Sequence, residues 1–505
     1  MLLVCTIFFI HTTLKMELWL WLIGALVGSY IFVFGILRNL NQWCFVTRHR
    51  RRYNLPPGDM GWPLIGTLLP FLQAFRSGRP DSFIQHFAYK YGKVGMYKTY
   101  LFGSPSVIVT VPEVCRHVLM NDEQYGFGYS KATRILTGSK ALNTVPKPEH
   151  RRLRRLIASL ISGNEALSLY IGHVEGIVIK CLEEWGTMKK PVEFLSEMKT
   201  VAFKVLLHIF IGANTAAFID RMEKLYTDFH LGFMSSPVDL PGTTFSRALK
   251  ARNELIKIFE NVLKEKRANL KNKGEENRKK DMTDLLLEVR DEDGQGLDDG
   301  CIIDLLIGFF FAGHETSAHS IMRAIMYLSE NPETLQKAKA EQEQIVKARP
   351  ADAQHKGLTM KEIKQMEYLF KVIDETLRKT SLAFTLSRET KVDVNLKGYT
   401  IPKGWKILVW TRAVHMDPEI YENPQKFDPS RWDNPKRRAG SFIPFGAGMR
   451  LCPGIDLSKL EIAIFLHYFI HGGFRLERVN PNCPENYLPL PRPTDNCLAR
   501  VVRDS

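Results

Sequence analysis

Ten residues near the C-terminus carry the clearest chemistry: Phe445-Gly446-Ala447-Gly448-Met449-Arg450-Leu451-Cys452-Pro453-Gly454. One thiol sits in a loop with three glycines, a guanidinium precedes it by two positions, and an apolar stretch follows. Gly446, Gly448 and Gly454 allow positive φ and close approach of the backbone to a flat cofactor. Backbone N–H groups opening the next helix can point at the sulfur and favour its anion, the form that binds a metal. Arg450 offers a planar cation suited to a carboxylate. A lone cysteine in a glycine-rich turn is usually structural; the complete ten-residue pattern sets this one apart.

A second constellation, Ala312-Gly313-His314-Glu315-Thr316-Ser317, lies in an apolar stretch that begins near Ile302. An acid followed by a hydroxyl inside a buried helix is costly unless the two serve something. Gly313 weakens the helix and removes side-chain bulk. His314-Glu315 also opens a zinc-protease pattern, but Ser317 stands where the second histidine belongs. His319 comes two residues late, and i and i+5 do not share a face as i and i+4 do. His314 therefore reads as a packing or local hydrogen-bonding residue. Gly126-Phe127-Gly128 is half of a dinucleotide fingerprint, with Lys131 where a glycine is required, and carries no weight.

The elements that must position these residues follow from the rest of the chain. Its 505 residues can bury a large core as one enzyme domain or as several. The net charge of +15 is spread along the chain, which favours membrane headgroups or an acidic protein partner over nucleic acid. No two of the eight cysteines form Cys-x-x-Cys, so a reducing, cytosolic setting is expected. Leu18 to Leu37 carries no formal charge and is about long enough to cross ~30 Å of hydrocarbon. Arg38, Arg48, Arg50, Arg51 and Arg52 follow it and place its C-terminal side in the cytosol. Because most of the basic residues come after the apolar core, a retained anchor is favoured over a cleaved signal. Met1 to Lys15 is a shorter apolar piece ahead of Met16, and either methionine could be the start. Pro56-Pro57-Gly58 and Gly61-Trp62-Pro63 read as a stiff hinge. The expected division is 1–37 extension and anchor, 38–66 basic and proline-rich hinge, and 67–505 catalytic domain. Tyr97 to Thr110 and Val392 to Val409 have strand character. About 146 to 350 is mostly helical in period, and Lys264 to Asp281 reads as a solvated loop or frayed helix end. The body is expected to be mainly α with small β-sheets.

The cysteine loop resembles the haem-ligand loop of the cytochrome P450 monooxygenases, with every fixed position filled. The resemblance runs from Pro56 to Val501 and implies that fold, with haem b as cofactor and Cys452 as axial ligand of its iron, next to Phe445. Ala312 to Ser317 is similar to the family's oxygen-activation motif. It implies that Thr316 hydrogen-bonds dioxygen, that Glu315 feeds protons through water and that Gly313 leaves room for oxygen. Glu375-Thr376-Leu377-Arg378 resembles the family's Glu-x-x-Arg, and Phe427 to Trp432 its arginine segment, so Glu375, Arg378 and Arg431 would form a buried structural network. His150 and Arg154 stand where the family carries Trp-x-x-x-Arg. With Arg388 and Arg450 they would contact haem propionates. Ser381-Leu382 replaces two prolines common in the family, and Leu382, Ala383, Phe384 and Leu386 are candidate substrate contacts.

Pro57-Gly58-Asp59-Met60-Gly61-Trp62-Pro63, Arg247 to Arg252 and Arg492 to Cys497 are similar to a plant branch containing ent-kaurenoic acid oxidase and β-amyrin 11-oxidase. The branch implies oxidation of an unactivated C–H bond on a triterpenoid such as cucurbitadienol or β-amyrin, with ent-kaurenoic acid of gibberellin synthesis as the runner-up substrate. It also implies an endoplasmic reticulum enzyme with one membrane span, fed electrons from NADPH through a separate cytochrome P450 reductase. Lys436, Arg437, Arg438 and Lys459 are candidates to meet that reductase. A haem-thiolate isomerase or dehydratase, or a non-catalytic haem sensor, would have no use for Glu315-Thr316.

Overall fold

A computed structural model describes residues 18–47, 52–212, 216–233, 235–271, 280–349, 357–434 and 436–503. The N-terminal apolar run forms a helix over Leu18–Phe45, and its apolar window is 0% buried. The helix passes the expected boundary at Leu37 because the body takes hold of its far end. Asn41 Nδ2 donates to Met60 O at 3.2 Å and Trp62 O at 2.6 Å, and the Phe34 ring meets Trp62 edge-on at 5.6 Å. Met1 to Lys15 and Arg48, Arg50 and Arg51 lie outside the described residues.

The helix Asp299–Glu330 organises the body. It too is long and apolar enough to cross a membrane, but 61% of its apolar window is buried, which makes it a core helix. Asp298 caps it by accepting from Cys301 N–H at 3.0 Å, satisfying one of the first-turn donors. Helices Phe194–Ile211, Thr244–Lys271, Glu367–Thr380 and Ile455–His471 pack around it. Phe310 anchors that packing among Phe203, Phe210, Tyr226 and Phe259, with ring centroids 5.1 to 5.9 Å apart.

The strand-like stretches fall where their β-branched residues predict. Met96–Leu101 and Ser104–Val109 form a hairpin, and Lys406–Val409 adds in parallel through Val107↔Ile407 and Val109↔Val409. The six-stranded sheet runs in spatial order Gly58–Asp59, Met96–Leu101, Ser104–Val109, Lys406–Val409, Leu386–Thr390, Tyr125–Phe127. Its last pairing sets Phe127 opposite Arg388 and so joins segments some 260 residues apart. A three-stranded sheet joins Phe474–Arg478, Leu498–Arg503 and Val192–Glu193.

The expectation for Lys264 to Asp281 is corrected at its two ends, while 272–279 lie outside the described residues. The charged stretch from Lys264 is not simply solvated: the helix continues to Lys271. Lys266 is buried against Asp281 and Asp284, with its Nζ 3.3 Å from the Asp284 carboxylate. The same two acids form a capping box for helix Met282–Glu288. A buried ammonium needs such partners, and they come from the start of helix Met282–Glu288.

Candidate active site

The cysteine loop closes on itself through Cys452 N–H, which donates to Phe445 O at 3.0 Å. Gly446 and Gly448 have φ of 78° and 74°, a region costly for other residues. A Cβ on Gly448 would also sit 2.7 Å from Leu119 O. Gly454 departs from the expectation, with φ of −91°. A Cβ built there meets nothing within 4 Å, so the protein's own packing does not require that glycine, whereas close approach of a flat cofactor would. Burial pushes the Cys452 thiol up, while the Gly454 backbone N–H and Arg154 act the other way. A coordinated metal would remove that proton outright.

Three basic side chains converge beside the loop. Arg450 is not a free cation: its Nε donates to Asp122 Oδ1 at 2.8 Å, and its guanidinium lies 3.5 Å over the Phe127 ring. Among the described residues its Nη1, the Nε of Arg388 and the Nδ1 of His150 are buried without a hydrogen-bond partner, as is Asp122 Oδ2. Orphan buried donors are rare and expensive. Two guanidinium donors and an imidazole nitrogen in one place fit a ligand carrying carboxylates. Burial and the neighbouring Arg450 and Arg154 hold His150 down at about 4, so its imidazole is neutral. Arg154 reaches the loop itself, 3.4 Å from Cys452 O. Sequence reading missed Asp122, Phe127 and Tyr129. The Tyr129 phenol lies within electrostatic reach of Arg388, Arg450 and Cys452, and no local motif marks it.

The central helix presents its second constellation differently from expectation. Thr316 and Ala312 are exposed in a helix otherwise largely buried. Four residues apart, they share one face with Gly308, beside which a Cβ would meet nothing within 4 Å. Thr316 Oγ1 donates to Ala312 O at 2.8 Å. Open space therefore comes from Ala312 and Gly308. Gly313 faces the neighbouring helix, where a Cβ would lie 2.8 Å from Leu206 Cδ1, so helix packing also bears on this position. Glu315 meets Lys199 Nζ at 2.8 Å, with His314 and His319 nitrogens at 3.9 and 3.7 Å. Burial opposes its ionisation, but Lys199 and the histidines overcome that and hold the carboxyl at about 2.

Glu375, Arg378 and Arg431 come together behind the site. Glu375 accepts two 2.8 Å bonds from Arg378 and one of 3.1 Å from Arg431 Nε. His415 lies beside them, its Nδ1 at 2.9 Å from Ser381 Oγ while Nε2 accepts from Ile443 N–H at 3.1 Å. Burial, then Arg378 and Arg412, depress it to about 3 from 6.5; His319 is also at about 3 and His467 at about 4. A depressed histidine confers its stability above the unfolded pKa and loses it as pH falls toward the folded one. Each should cost about 2 kcal/mol between pH 6.5 and 5. Thermal midpoints followed from pH 7 to 5 should fall steadily, and a flat profile would contradict this.

Leu382, Ala383, Phe384 and Leu386 lie along the turn after Ser381, whose φ is 47°. Phe384 is committed to an aromatic cluster, 4.8 Å from Phe75 and 5.4 Å from Trp410. Leu386 borders the cysteine loop, 3.6 Å from a Cβ built on Gly446. Of the four cations suggested for docking, Arg438 pairs with Glu113 and Lys459 with Asp374. Arg437 lies 4.0 Å over Trp432.

Comparison with known proteins agrees with this geometry. The family model described as Cytochrome P450 matches residues 56–493. The chain is 52% identical to 7,8-epoxymelianol synthase of Citrus sinensis, over 96% of this chain and 99% of that one. It is 51% identical to beta-amyrin 11-oxidase of Glycyrrhiza uralensis (95% and 98%) and 46% to ent-kaurenoic acid oxidase 2 of Arabidopsis thaliana (96% and 98%). Retinoic acid bound cyanobacterial CYP120A1 superposes with a TM-score of 0.77 at 27% identity, covering 89% of this chain and 99% of that one. The protein belongs to the cytochrome P450 family, whose members carry haem iron, and the orphan donors beside Cys452 fit the propionates of that group.

Proposed function

We propose that the protein is a haem-thiolate monooxygenase that oxidises an unactivated C–H bond of a polycyclic triterpenoid with a cucurbitadienol- or β-amyrin-like skeleton. The observation that carries the chemistry is Thr316, a hydroxyl exposed at the middle of a buried helix beside an ionised carboxylate. Two relatives, at 51% and 52% identity, named for triterpenoid oxidation support the substrate class. Ent-kaurenoic acid oxidation is the second reading, favoured by the relative at 46%. An isomerase, a dehydratase or a haem sensor would leave the Thr316 face without a task.

Cys452 would hold the iron, and His150, Arg154, Arg388 and Arg450 the propionate edge, with Phe445 beside the sulfur. Bound haem would supply oxygen activation, with thiolate donation favouring O–O cleavage. The chain's own residues manage protons and water. Thr316 already donates to Ala312 O, so its lone pairs can accept, and rotating the hydroxyl turns its proton into the open face. Glu315, held by Lys199, carries no proton at neutral pH; it relays one only when that pair lengthens and its affinity for protons rises. Thr316→Ala should therefore keep NADPH consumption within a few-fold while product per NADPH falls by about a hundredfold, the low end of general acid–base contributions. Tight coupling in that variant would defeat the role.

Leu18–Phe45 would anchor the protein in the endoplasmic reticulum membrane by a single pass, with residues 67–505 as a cytosolic catalytic domain. NADPH would act through a separate cytochrome P450 reductase. Co-expression with a plant reductase in yeast microsomes, fed cucurbitadienol, β-amyrin and ent-kaurenoic acid in parallel, tests the substrate. An oxygenated triterpenoid supports the proposal, and turnover of ent-kaurenoic acid alone overturns it.

A further inference from the structure

The Phe127 ring is the hub of the basic cluster beside the cysteine loop. The Arg450 guanidinium lies 3.5 Å over it and that of Arg388 5.9 Å, and the His150 ring is 6.3 Å away. Tyr129 is a further group on the same ring, stacked at 5.2 Å with the planes 26° apart. Backbone pairing fixes it there. Gly128 N–H donates to Ser387 O at 3.2 Å, and Ser387 Oγ returns a 3.0 Å bond to Gly128 O. A Cβ on Gly128 would sit 2.7 Å from Arg388 O, so the residue before Tyr129 lies flush against the Arg388 strand. The Tyr129 side chain then combines two properties. It keeps 38% of its surface accessible, yet burial pushes its phenol up. A ring both accessible and surrounded by protein lines an internal space and not the outer surface. Arg388, Arg450 and Cys452 are the charged groups within its reach, and among the described residues its hydroxyl makes no hydrogen bond. A phenol that keeps its proton is a donor in need of an acceptor.

We propose that the Tyr129 hydroxyl is a haem-binding group, donating to a propionate carboxylate beside Arg388 and Arg450. The assignment rests on haem filling the space next to Cys452 and not on the substrate assigned above. A carboxylate can accept from a phenol and a guanidinium together, and hydrogen bonds to an ionised acceptor are the stronger ones. The phenol also adds a donor without adding a charge, so it brings no further repulsion to Arg388, which burial and Arg450 already hold below its usual range.

The test is Tyr129→Phe in the full-length, haem-loaded protein in detergent. Phenylalanine keeps the ring and its stack on Phe127, so the thermal midpoint should match that of the parent. Two measurements follow the propionate and not the fold. The propionate bending band in the resonance Raman spectrum should move. Haem should also pass to apomyoglobin about tenfold faster, the worth of one charge-assisted bond. A band at the parent position, or an unchanged transfer rate, would overturn the proposal. Weakened triterpenoid binding by absorbance titration with the band unmoved would give the phenol to the substrate and overturn it as well. Neither the band nor the transfer needs turnover, so the outcome is independent of whether the triterpenoid reading holds.

Discussion

Cys452→Ser should give a folded protein that has lost its thiolate-ligated haem and its oxidations. The loop's closure is a backbone bond, Cys452 N–H to Phe445 O, and serine keeps it. The positive φ of Gly446 and Gly448 is likewise untouched. Stability of the polypeptide should therefore change by less than about 1 kcal/mol, since no named source of large loss is created. The ligand field changes completely. Burial already pushes the Cys452 thiol up, and an alcohol in the same place ionises far less readily still. Loss of a partner that merely supports a ligand costs about 10–100-fold, so losing the ligand itself should cost at least about a hundredfold in turnover. Reduced protein under carbon monoxide gives the spectroscopic check. A variant retaining the thiolate-type band would remove Cys452 from the role.

Glu375→Ala should damage stability more than any other single change near the site. The carboxylate is completely buried. Besides Arg378 and Arg431 it accepts from Trp432 Nε1 at 3.2 Å and from Asp428 N–H at 3.0 Å. Removing it strands Arg378, itself fully buried, with only carbonyls such as His415 O and Pro424 O at 2.7 and 2.8 Å. Uncompensated buried charge costs about 3–5 kcal/mol, a large part of the 5–15 kcal/mol typical of a folded protein. The damage reaches the cysteine loop, because Trp432 packs 4.4 Å from Phe442 and the loop begins three residues later. Thermal unfolding and haem content should fall together in Glu375→Ala, and Glu375→Met/Arg378→Met should recover part of the loss. A single variant as stable as the parent would show that the network does not hold this region.

Where a pattern depended on neighbours in the chain, it was legible from residue order. The cysteine loop, the Glu315-Thr316 pair, the Glu375/Arg378 spacing and the apolar anchor are local patterns with local physical reasons; the first three formed where expected, and the anchor helix ran past Leu37 to Phe45. Roles that depend on what lies opposite were read less well. Gly313 reads as room for oxygen, and a Cβ there would also lie 2.8 Å from Leu206 Cδ1. Arg450 reads as a cation for a ligand carboxylate and is also shared with Asp122. Glu315 is expected to feed protons through water, and its carboxylate is held by Lys199. Lys266 looked solvated and is buried.

By itself, then, the amino-acid order determined the cysteine loop, the hydroxyl and acid on one helix, the helical class of the body and the membrane-length segment, because φ preference, helical period and apolar length are set over a few residues. Only the tertiary structure decided which donors stay unpaired, which face of the central helix is open, and which charges cancel. Those depend on pairings such as Phe127 with Arg388 and Lys199 with Glu315, across separations of more than a hundred residues that no local pattern encodes.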